Sequence, residues 1–184
     1  MPINCFKRKS GTTMVEVLVG IGVFALVTLG ATAVLINTLR SSDRTRAQSD
    51  LDASVAFAAE RVAGYLCEAR TATIDSDGLG LTYKYPATNG DGTYTASKTA
   101  TESSNRQLYL SNGSLYASDD PNRPILTDIP STDPETGLPI TIFSAGINSR
   151  EVIVRLVTRK TLAGNQTIHS AITSRVRLRN AVQS

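Results

Sequence analysis

Lys7-Arg8-Lys9-Ser10-Gly11-Thr12-Thr13-Met14-Val15-Glu16 opens the chain's one long apolar run, which continues to Leu39. Three cations come first, and from Met14 to Leu39 the only charge is Glu16. Those 26 residues make roughly 39 Å of helix at ~1.5 Å per residue. A hydrocarbon core about 30 Å thick is spanned by that length with some tilt. A helix buried in a soluble core is rarely apolar all round for so long. Glu16 is the anomaly. An acid at the centre of a membrane span costs about 2.5–3.5 kcal/mol on insertion scales. Near the end of a span the carboxylate either snorkels to the headgroups or finds a partner.

Basic residues, then Gly11, then five residues ending in Glu16, then a long apolar helix: this pattern resembles the type IV prepilin signal shared by type IV pilins and type II secretion pseudopilins. The resemblance implies that a prepilin peptidase removes residues 1–11 by cutting between Gly11 and Thr12, with Lys7, Arg8 and Lys9 as the leader's basic residues. It implies that Thr12 becomes the N-methylated first residue and that Glu16 is the acid five residues in. Glu16 would then neutralise the new α-amine of a neighbouring subunit inside the membrane. The family's usual first residue is Phe or Met; here it is Thr12. The family's major pilins carry a proline in this helix; this chain has none there, which points to a minor subunit. The ending Arg175-Val176-Arg177-Leu178-Arg179-Asn180 is similar to the Leu-Arg-Asn tail of larger minor pilins and pseudopilins, PilW-like or J-type. The implied location is the bacterial inner membrane, single-pass, with the C-terminal part extracytoplasmic, and later the filament or pseudopilus. The implied partners are the peptidase, other pilin or pseudopilin subunits, the assembly platform and membrane lipid.

Two other readings of the same stretch remain. Ala31-Thr32-Ala33 fits a small-x-small secretory cleavage site that would release a chain starting at Val34, but Glu16 interrupts the apolar segment, which exceeds the usual length of about 7–15 residues. A plain signal anchor leaves the Gly11/Glu16 spacing unexplained. Charge does not orient the helix: Lys7, Arg8 and Lys9 precede it, and Arg40, Arg44 and Arg46 follow.

The net charge of +3 comes from 19 basic and 16 acidic side chains. Loss of Lys7, Arg8 and Lys9 with the leader leaves 16 of each, so a general attraction to nucleic acid or anionic lipid is not expected. Of the two cysteines, Cys5 falls in the leader. Cys67 is then alone, without an internal disulfide, and reads as a small buried apolar residue. With no Trp, the core must be mainly aliphatic.

Beyond Leu39 the helical period persists. Ala47, Leu51, Val55, Ala58, Val62, Tyr65 or Leu66, and Ala69 form one apolar stripe at steps of three and four. No Pro occurs between Asn4 and Pro86, so one helix is expected from about Thr13 to about Ala72. Its parts are a transmembrane or filament-core segment, 12–39, and an amphipathic continuation, 40–72. Residues 73–184 are expected to form the sheet domain. Asp75-Ser76-Asp77-Gly78 should end the helix in a turn, and it lacks the ligand spacing of a hand-type calcium loop. Leu79, Leu81, Tyr83 and Tyr85 alternate as in a strand. The stretch 86–105, poor in large apolar residues, reads as a long loop. Asn112-Gly113 joins two strands as a hairpin. Ile125–Ile129 reads as a short strand or edge segment and Pro139–Ser144 as a short strand, around a turn at Asp133–Gly137. Glu151–Thr158 and Ile168–Leu178 read as the strongest strands, joined through Ala163–Gln166. The expected fold class is α+β and pilin-like: a long N-terminal helix on a mainly antiparallel sheet.

No catalytic arrangement emerges, and an enzyme is not expected. His169 is the only histidine, and there is no nucleophile elbow, zinc cluster or phosphate loop. No cofactor or metal is called for. Arg175, Arg177 and Arg179 alternate on the last strand and share a face. They offer a strip for nucleic acid, but a solvated face blunting an edge strand is favoured, because nearby aromatics for stacking bases are few. The expected role is a minor pilin or pseudopilin that joins, primes or caps a type IV pilus or a type II secretion pseudopilus. The alternative is a membrane-anchored extracytoplasmic binding module, an adhesin or DNA receptor.

Overall fold

A computed structural model describes residues 13–88, 104–148 and 150–179. The leader, Gly11, Thr12 and most of the 86–105 loop lie outside the described residues. The chain divides into two units, Met1–Thr45 and Arg46–Ser184.

Helix α1 runs from Met14 to Cys67. Its first part is long and apolar enough to cross a membrane, and none of its most apolar window is buried. Val15, Leu18, Phe24, Leu26 and Leu35 are all exposed. Three threonine side chains in this segment satisfy themselves on the helix backbone. Thr28 Oγ1 donates to Phe24 O at 2.8 Å, Thr32 Oγ1 to Thr28 O at 2.8 Å, and Thr38 Oγ1 to Val34 O at 2.9 Å. Threonines bonded back to the preceding turn leave no hydroxyl for lipid to strand.

In the second unit α1 buries Ala47, Leu51, Val55, Ala58, Val62 and Leu66, the stripe expected from the spacing. The helix stops at Cys67, not near Ala72. Ala69 N donates to Leu66 O at 3.0 Å, and Arg70 N then donates to Lys84 O at 2.8 Å, which carries the chain into a sheet. Ala69 continues the apolar spacing and is fully buried, but it sits past the helix.

Among the described residues the β-structure is antiparallel, yet it forms two sheets where one was expected. The first has β1 (Thr71–Ile74), β2 (Gly80–Lys84), β3 (Arg106–Ser111) and β4 (Ser114–Ala117), in that order. The second has β5 (Phe143–Ala145), β6 (Glu151–Thr161) and β7 (Thr167–Arg177). Asp75–Gly78 is therefore the β1–β2 turn, not the helix end. Gly78, at φ 67°, ties the sheets together: its carbonyl accepts from Ile142 N at 3.0 Å and Phe143 N at 2.9 Å. The Asn112-Gly113 hairpin is present, both residues at positive φ. Ile125–Ile129 is not a strand. It makes one bridge, Leu115 to Leu126, and Thr158 Oγ1 donates to Thr127 O at 2.9 Å. Of Pro139–Ser144 only the end enters β5. One aliphatic cluster joins Val55, Val62 and Leu66 to Leu81, Leu108, Val154 and Val176.

Candidate functional sites: the helix start and an arginine groove

Glu16 lies in the first turn of α1. The Thr13 amide donates to Glu16 Oε2 at 2.9 Å, and the Glu16 amide reaches Thr13 Oγ1 at 3.4 Å. This is a capping box, with two otherwise orphaned amides satisfied reciprocally. The Thr13-x-x-Glu16 spacing is the sequence signal of such a box.

Arg175, Arg177 and Arg179 do share the exposed face, while Val176 and Leu178 between them are buried. Across the ladder Arg177 faces Glu151 and Arg175 faces Ile153. A fourth cation, Arg150, joins them, missed because it lies 25 residues upstream of Arg175. Together they line a groove of about 500 Å³ whose other side is Ala63 and Cys67 of α1. Cys67 is half-buried with a free thiol. None of the four guanidinium groups makes an ion pair with a described residue. No aromatic side chain lines the groove.

The remaining polar clusters fasten the fold. Arg155 Nε donates to Asp133 Oδ2 at 2.8 Å, and its Nη2 donates both to Asp133 Oδ1, at 3.3 Å, and to Glu135 Oε2. The Asp133 carboxyl is held below its ordinary range, first by Arg155 and then by the Glu135 amide. Tyr83, Tyr65 and Tyr85 pack ring to ring, and burial pushes the Tyr83 hydroxyl well above the usual phenol range. In the β1–β2 turn Leu79 N donates to Asp77 Oδ1 at 2.9 Å, so that acid is used as turn chemistry. His169 is exposed, and its carbonyl accepts from Gln48 Nε2 at 3.2 Å. Among the described residues no group of three or more His, Cys, Asp and Glu is placed to hold a metal ion.

No family model, curated protein or solved structure matches this chain.

Proposed function

We propose that this chain is a type IV prepilin-like subunit, a minor pilin or pseudopilin, whose work is mechanical rather than catalytic. The peptidase removes residues 1–11, Thr12 becomes the methylated N-terminus, and the apolar half of α1 holds the subunit in the inner membrane until it enters a filament. The domain from Arg46 onward stays outside the cytoplasm and meets neighbouring subunits.

The observation that carries this reading is the place of Glu16. It is the only charge between Met14 and Leu39, and it sits five residues past Gly11. Its helix exposes large apolar side chains all round. Among the described residues the carboxylate accepts from the Thr13 amide and the Thr13 hydroxyl and meets no cation. A neighbour's α-amine supplies that cation, and the pairing is strong where water is scarce. The test is Glu16→Ala in a host carrying the assembly machinery. The variant should remain in the membrane fraction and be lost from filaments; incorporation at the wild-type level overturns the proposal.

The second reading, a binding module on a membrane stalk, is favoured by one observation, four arginines around the groove that make no ion pair with a described residue.

A further inference from the structure

We infer that the arginine groove beside the end of α1 binds a small multivalent oxyanion, a diphosphate group either free or at the end of a larger molecule. The inference stands on the groove alone and holds whether or not α1 enters a filament.

Three separate stretches of chain are fastened together around this cavity. Helix α1 ends at Cys67. Arg179 N donates to Cys67 O at 3.1 Å, which ties the residues just past β7 to the helix end. Leu178 N donates to Arg150 O at 2.9 Å, which ties them also to the residue before β6. Backbone bonds thus fix where the four arginines start, and less order has to be gained when a ligand arrives. The cavity, about 500 Å³, falls within the range of about 300–1,000 Å³ for small-molecule sites. Because α1 flanks β7 here, the space is closed to an added strand and suits a compact group.

Charge then selects the ligand. Among the described residues no acid lines the cavity, and none of the four guanidinium groups makes an ion pair. Glu151 faces Arg177 across the ladder without forming one. The end of α1 opposes an anion, since its last carbonyls carry roughly half a negative charge. The Cys67 carbonyl is already bonded, and four full cations outweigh that half charge. Cations gathered in one place repel each other, and a bound anion relieves that repulsion.

The arginines also select the shape. A guanidinium fork suits phosphoryl oxygens, which accept two parallel N–H bonds. Arg175 and Arg177 leave β7 two residues apart on one face, roughly 7 Å along a strand at ~3.4 Å per residue. One phosphoryl group engages one such fork; two linked groups reach both. Ser174 adds a hydroxyl to the cavity wall. A nucleic-acid strand also brings phosphates, but its bases call for aromatic platforms, and none lines the groove.

The test uses the full chain in detergent micelles with pyrophosphate, methyl diphosphate, sulfate and oligothymidylate as probes. Calorimetry reads binding. Its place is read from Cys67, in the cavity wall, by the rate at which the Cys67 peptide gains uncharged N-ethylmaleimide in mass spectra. Pyrophosphate should bind and slow that reaction about tenfold at ten times its Kd, where roughly one chain in eleven is empty. Arg175→Gln/Arg177→Gln should weaken pyrophosphate by at least about tenfold, while Arg40→Gln/Arg44→Gln, which removes as much charge elsewhere, should leave it unchanged. Arg175→Lys/Arg177→Lys keeps the charge without the forks; it should bind between wild type and the glutamine variant and show that the groove is still folded. Methyl diphosphate binding as well as pyrophosphate assigns the site to a diphosphate on a larger molecule, and much weaker binding assigns it to the free anion. Failure of pyrophosphate to bind overturns the inference. So does binding that leaves Cys67 as reactive as before, equal losses in the two glutamine variants, or sulfate or oligothymidylate binding as tightly.

Discussion

Thr13 and Glu16 hold each other at the start of α1, the Thr13 amide on Glu16 Oε2 at 2.9 Å and the Glu16 amide on Thr13 Oγ1 at 3.4 Å. The same carboxylate is therefore asked to cap its own helix and, in the proposed assembly, to meet a neighbour's amine. Glu16→Gln separates the two roles. Glutamine serves the capping box as well as glutamate does, but it carries no charge. The variant should insert normally and still be missing from filaments. Thr13→Ala should cost about 1 kcal/mol of helix-end stability and leave most of the assembly intact. Normal assembly of Glu16→Gln, scored by filament immunoblot, would assign Glu16 a capping role only.

The clamp between Arg155 and Asp133 fixes the 131–139 turn onto β6. The Asp133 side chain is only 8% exposed, so losing its charge leaves Arg155 with a poorer partner. Asp133→Asn should cost about 1.5–3 kcal/mol near neutral pH, the range for a hydrogen bond to a charged group. The sign with pH follows from the lowered carboxyl. Asp133 stabilises the fold fully above the unfolded-state value of about 3.9 and loses that contribution as pH falls through its lower folded value. Thermal melts should show a constant gap between wild type and variant from pH 7 to about pH 5, closing as the solution becomes more acidic. A gap that widens in acid contradicts the assignment.

Gly78 sits at φ 67°, and a Cβ there would meet Thr141 Cγ2 at 2.6 Å and Phe143 O at 3.0 Å. Gly78→Ala combines a left-handed backbone cost of about 1–2 kcal/mol with crowding of about 1–3 kcal/mol. The expected loss is roughly 2–5 kcal/mol, read from urea midpoints. Gly137→Ala is the control: it shares the positive φ, with open space around it, and should lose only the backbone part. Equal losses for the two would remove the argument that Gly78 is the close contact between the sheets.

Tyr83 is fully buried, and its hydroxyl makes no hydrogen bond of good geometry among the described residues. Removing an unsatisfied buried group is neutral or favourable when the shape is kept. Tyr83→Phe should melt at or slightly above the wild-type temperature. A fall of several degrees would reveal a bond from that hydroxyl, with neighbouring Tyr85 the first candidate.

Much of this was visible in the residues. The apolar stripe from Ala47 to Leu66, the Asn112-Gly113 hairpin and the β6–β7 pair follow from local periodicity and turn chemistry, and each is where the spacing put it. The end of α1 was misplaced because Ala69 keeps the helical spacing while its burial comes from the sheet. Thr71-Ala72-Thr73-Ile74 has little alternation of its own and becomes a strand by pairing with β2. The split into two sheets, the clamp of Asp133 on Arg155 and the arrival of Arg150 beside Arg175 are long-range outcomes, which local pattern does not encode.

The central claim is processing. The direct measurement is the mass and N-terminal sequence of the chain recovered from membranes of a host that has a prepilin peptidase. The account predicts a chain beginning at Thr12 and carrying one added methyl group. A chain that begins at Met1 or at Val34 contradicts it.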